Sequence, residues 1–268
     1  MENRTHGAGL RGLNGPSGAG STSHTGSRGT RILGLCAGTG AVALLLFALV
    51  LSPADRVQGE AVRLMYLHVP AAIAMYVCVG LLGVASALWL RKKTQGWDTL
   101  AAASAEVGLV FTALTLVTGM VWGRPTWGVF WVWDARLTTT AMLAVLLLGY
   151  LALRRVPAPP ETRSRRSAIA GLLVVVDLPL IHYSVDWWRT LHQDATISTT
   201  DVKIDGLMLF TLFLGMVVGM LVTAWLLVHR FRLAWLEEEF EQGGLDLAIA
   251  ERRAEARAPG ARTTEVGS

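Results

Sequence analysis

Apolar residues in this chain do not alternate with polar ones or recur on one face. They run together in six stretches, at 32–51, 69–90, 100–121, 134–153, 167–186 and 206–228. Each approaches or exceeds the roughly 20 residues an α-helix needs to cross a hydrocarbon layer, and each holds few charges. The pattern predicts an all-α polytopic membrane protein with six transmembrane helices. The fourth span starts within a tryptophan-rich stretch. The fifth is interrupted by Asp177 and Pro179.

Six spans return the chain to the side it started from. With both termini cytoplasmic, the inner side carries Arg28, Arg31, Arg91, Lys92, Lys93, Arg154, Arg155, Arg163, Arg165, Arg166, Arg230 and Arg232. The outer side then carries Arg56, Arg63, Arg124, Arg136, Arg189 and Lys203, and twelve cations against six favour this orientation. The outer loops are then about 52–68, 122–133 and 187–205. Residues 1–31, rich in Gly, Ser, Thr and Arg, are expected to be a disordered tail. Residues 32–228 form the membrane domain. Residues 229–268 are expected to form a cytoplasmic helical tail on the membrane surface, broken at Gly243–Gly244.

Composition narrows the function. A net charge of +4 is too small to argue for nucleic acid, and the cations flank apolar runs. Cys36 and Cys78 are far apart, so no disulfide framework, zinc site or thiol relay is expected. The C-x-x-C-H signature of covalent heme attachment is absent. The stretch 15–22 resembles a phosphate-binding loop but lacks its lysine and a preceding strand. The broken fifth span has no counterpart in the first half, which argues against a secondary transporter.

Candidate chemistry gathers on the outer side. Trp122, Trp127, Trp131 and Trp133 fall within twelve residues, with Phe130 among them. An interfacial aromatic belt is one reading. The other is a continuous apolar shelf that stacks a flat, greasy ligand. Asp134 opens the fourth helix as an N-cap. Arg136 places a cation in the first turn, where the helix dipole disfavours it and a bound anion, or lipid phosphate, would compensate. His68 ends the first outer loop and His192 lies in the third. Two imidazoles beside such a shelf suit the two axial positions of a heme iron, with Arg63 and Arg136 placed for its propionates. His182 is an alternative ligand, read as structural because it sits deeper and can pair with Asp186. Glu106 and Asp177 are ionisable groups inside spans and so are functional suspects, with no partner evident for Glu106.

The stretch W-G-R-P-T-W-G-V-F-W-V-W-D (122–134) resembles the tryptophan-rich motif of heme-handling proteins in cytochrome c maturation. Y-L-H-V-P-A-A (66–72), L-P-L-I-H-Y-S-V-D-W-W (178–188) and T-L-H-Q (190–193) are similar to the CcmC family of heme-delivery membrane proteins. The resemblance covers roughly residues 53 to 200. It implies six spans with cytoplasmic ends and heme b bound outside the membrane. It places the axial ligands at His68 and His192, and the motif tryptophans at Trp122, Trp127 and Trp133, followed by Asp134. It implies delivery to the heme chaperone CcmE and association with CcmA, CcmB and CcmD. A protein of this kind orients its cargo and is not an enzyme. Two alternatives remain open: a heme-attaching cytochrome c synthase of the same superfamily, and a docking subunit that binds no heme.

Overall fold

The computed structural model describes residues 27–188, 204 and 206–257. It confirms an all-α fold with six helical units long and apolar enough to cross a membrane. Helix α1 (Arg28–Leu46) continues into a π-helical turn, Phe47–Leu51. A short 3-10 turn, Glu60–Leu64, leads directly into α2 (Met65–Lys92). Helix α3 spans Gln95–Trp127 and α4 spans Ala135–Arg155. The fifth unit is two helices, α5 (Pro160–Val175) and α6 (Asp177–Trp187), and the last is α7 (Gly206–Arg257).

Local chemistry explains these boundaries. Lys93 adopts a left-handed conformation (φ 49°) and stops α2 after Arg91 and Lys92, which suit the negative end of its dipole. Asp134 caps α4, its carboxylate accepting the backbone N–H of Arg136 at 2.9 Å. The expected break in the fifth span falls at Val176, and Pro179 sits in the first turn of α6, where its missing N–H costs no bond.

Several helix ends differ from the expectation, and three of them change the picture. Helix α2 begins four residues earlier, so His68 lies inside a helix rather than at the end of a loop. Helix α3 continues to Trp127 with Pro125 in its last turns, so Trp122 and Trp127 are helical. Helix α7 runs through Gly243–Gly244 as one helix of 52 residues instead of breaking there. The strong helix formers on either side outweigh a glycine cost of about 1 kcal/mol each.

Helices α2 and α3 form the centre. One face of α2 (Ala71, Ala74, Met75, Cys78, Val79, Leu82, Ala85) shares a buried core with Ala101, Ala105, Val107 and Phe111 of α3 and, across α3, with Leu143 and Leu147 of α4. Helices α5 and α7 flank α2, while α1 rests on α7. In lipid, small side chains and polar ties hold such helices together more than the hydrophobic effect does. At the end holding the α2–α3 turn, Arg154 grips Asp98 through two bonds of 2.7 and 2.9 Å. Nearby, Glu238 of α7 accepts from Gln95 at 2.7 Å and from Arg163 at 3.1 Å.

Candidate functional site

At the opposite end, where the tryptophan-rich segment lies, α2, α3, α4 and α6 separate around a cavity of about 610 Å³. That volume is ordinary for a site holding a small organic ligand. Helical periodicity builds its walls. From α2 come Met65, His68, Ala72 and Tyr76; from α3 come Thr115, Gly119, Trp122, Gly123 and Trp127. Arg136 and Thr140 enter from the start of α4, and His182 and Asp186 from α6. Steps of three and four residues keep each set on one helix face.

His68 is the most constrained of these groups. Its Nδ1 lies 3.0 Å from the Thr118 hydroxyl. Its ring meets Trp122 edge-on, with centroids 5.7 Å apart. Gly119 lies directly opposite: a Cβ there would stand 3.1 Å from His68 Cε1. Trp122 is held from its other end, its indole N–H donating to Gln58 at 2.8 Å. Gln58 sits in a tight turn in which the Asp55 carboxylate accepts the backbone N–H groups of Val57 and Gln58 at 2.8 and 2.7 Å. Those two bonds, Gln58 first, hold the Asp55 carboxyl below its ordinary pKa of 3.8.

The four tryptophans do not form one shelf. Trp122 and Trp127 line the cavity, whereas Trp131 and Trp133 form an edge-to-face pair outside it, 5.5 Å between centroids. Trp133 is 83% exposed. The cause is the overrun of α3. It carries the first two indoles down a helix face, and Gly128 (φ 80°) then turns the chain outward.

The two candidate arginines also separate. Arg63 donates to the Glu60 carboxylate and to the Ala48 carbonyl and does not line the cavity. Arg136 does line it; its Nη2 donates to the His182 carbonyl at 3.2 Å, and its buried Nε has no partner among the described residues. No carboxylate pairs with Arg136 among the described residues. His182 is exposed on the cavity wall and packs edge-on against Tyr183 (4.9 Å) and Tyr76 (6.5 Å). No ion pair joins it to Asp186 among the described residues. His192 lies outside the described residues, as do Arg189 and Lys203.

Thr115, Thr118 and Gly119 are site residues the sequence reading passed over. Their signal was present as small and polar residues at helical spacing within an apolar span. Of the two ionisable suspects inside spans, Glu106 is paired with Arg230. Asp177 is buried at the head of α6, and neither carboxylate oxygen has a hydrogen-bond partner among the described residues.

A sequence model of the family described as heme exporter protein C matches residues 21–245, and so includes every residue of the cavity wall. The chain belongs to the heme exporter protein C family. It is 37% identical over 196 residues to heme exporter protein C of Haemophilus influenzae, covering 73% of this chain and 80% of that one. It is 38% identical over 199 residues to the Bradyrhizobium diazoefficiens protein of the same name, covering 74% of each. With the Escherichia coli protein of that name identity rises to 44% over 148 residues, 54% of this chain and 59% of that one. The cavity of this chain is walled by an imidazole, two indoles and a guanidinium with no carboxylate partner among the described residues, which together offer a nitrogen donor, flat apolar surfaces and a cation.

Proposed function

We propose that this protein binds heme b at the cavity and delivers it to the heme chaperone CcmE during cytochrome c maturation. The supporting observation is convergence. His68, Trp122, Trp127 and Arg136 come from three helices and line one cavity of ligand size. His68 and His192 supply the axial nitrogens. Trp122 and Trp127 take the porphyrin face, and half-buried Trp131 and exposed Trp133, beside the helix cap Asp134, extend the platform outward. Arg136 meets a propionate, because its charge is unpaired in the cavity. Arg63 is less suited, being engaged by Glu60 and Ala48.

The protein acts by orientation rather than turnover. A held porphyrin presents one edge to the chaperone, which raises the effective concentration of the reacting group. Release requires loss of an axial bond. The excess of cations at the other end of the bundle supports a cavity that opens on the periplasmic side of the bacterial inner membrane. Association with CcmA, CcmB and CcmD is the corresponding assembly, and it supplies any nucleotide chemistry.

The test is the visible spectrum of the detergent-purified protein expressed with heme available. The wild type carries the absorbance of a histidine-ligated heme, and the His68→Ala/His192→Ala double variant loses it. A double variant that retains the wild-type spectrum rules out these ligands. A colourless wild type rules out the site.

A further inference from the structure

The hydrogen bond behind His68 fixes more than its position. The Thr118 hydroxyl has one proton and two lone pairs. It lies 2.6 Å from the Leu114 carbonyl of its own helix, which can only accept, so the proton goes there. Toward His68 Nδ1, 3.0 Å away, Thr118 then offers a lone pair. Nδ1 must therefore carry the hydrogen. Nε2 keeps its lone pair and has no protein partner among the described residues. That is the tautomer a metal ligand requires, and an oxygen behind Nδ1–H makes Nε2 more basic.

We propose that Thr118 is a positioning residue for the cargo: it selects the Nδ1–H tautomer of His68 and raises the donor strength of Nε2 toward heme iron. The proposal rests on reading His68 as an axial ligand. Gly119 completes the device. With no side chain there, the imidazole can lie against α3 close enough to reach Thr118. An electron-richer Nε2 favours ferric over ferrous iron, so the bond behind it lowers the reduction potential of the bound heme.

Two measurements test this. The first uses heme-free protein labelled with 15N at histidine, in which NMR reads the tautomer of each ring. The wild type shows His68 protonated at Nδ1; Thr118→Val, equal in shape but without an acceptor, shifts the population toward Nε2–H, and Thr118→Ser restores it. A wild-type ring protonated at Nε2 overturns the proposal without any variant. The second uses heme-loaded protein. Thr118→Val weakens heme binding about tenfold, the lower end of what loss of such a support costs, and raises the reduction potential; Thr118→Ser behaves as wild type. A valine variant equal to wild type in affinity and potential overturns the proposal. If His68→Ala keeps the wild-type heme spectrum, the ligand reading falls instead, and the heme-free tautomer still reports whether Thr118 holds the ring.

Discussion

Arg230 of α7 grips Glu106 of α3 with two nitrogens on two oxygens, so a carboxylate that lies inside an apolar span has a cation on a different helix as its partner. The Arg230 guanidinium also reaches Glu237 at 3.2 Å. Neither member of the pair lines the cavity. The pair is structural, tying the central helix to the last one.

Glu106→Ala leaves Arg230 only its longer contact to Glu237, and loss of the two-point pair of a half-buried charged group costs about 1–3 kcal/mol. Thermal unfolding in detergent should show the loss while heme binding by the folded fraction persists. The double variant Glu106→Ala/Arg230→Ala should lose less than the sum of the single variants.

Gly119→Ala separates stability from binding. Alanine gains about 1 kcal/mol of helix propensity over glycine. Its methyl group, 3.1 Å from His68 Cε1, nevertheless pushes the ring off α3. The expected result is an unchanged or higher melting temperature with weaker heme binding. Gly119→Val, which overpacks the site by about 1–3 kcal/mol, should lose roughly five- to a hundredfold in affinity by heme titration.

Arg136→Gln tests the propionate contact. Removal of a charge-assisted bond of about 1.5–3 kcal/mol lowers affinity for heme by tenfold or more. Affinity for the dimethyl ester of heme, whose propionates carry no charge, should change little. Equal losses for both ligands would mean that Arg136 acts only through the His182 carbonyl it holds.

The turn that buttresses Trp122 should respond to acid. The folded-state pKa of Asp55 is depressed, so its contribution is fully present above the unfolded carboxyl value near 3.8 and is lost as pH falls through the lower folded value. Hydrogen exchange at the Val57 and Gln58 amides should show reduced protection in that window, beyond the intrinsic pH dependence of exchange. Asp55→Asn should weaken the same protection at neutral pH.

The six spans were legible because lipid imposes a length and an apolarity that no tertiary contact overrides. Helix ends at the site were harder. The second apolar stretch began at 69 and the third ended at 121, yet α2 starts ahead of Pro70 and α3 runs through Pro125. A proline removes one N–H donor and one backbone bond, and near a helix terminus that loss is small. This one misplacement made the indoles look like a single shelf and put His68 in a loop. The cap at Asp134 and the break near Asp177 were local chemistry and were read correctly. The Glu106–Arg230 pair was invisible because its members are 124 positions apart in the chain. Thr118 was invisible because its role depends on a histidine 50 residues away.

Helix α7 has a mechanical consequence. At 1.5 Å per residue its 52 residues measure about 78 Å, more than twice the thickness of the hydrocarbon layer. Leu212, near its start, belongs to the cavity wall, while Glu238 is clasped to α3 and α5 at the far end of the bundle. A single rod thus joins the two ends of the bundle, and a push on its far end is also a push on the wall of the cavity.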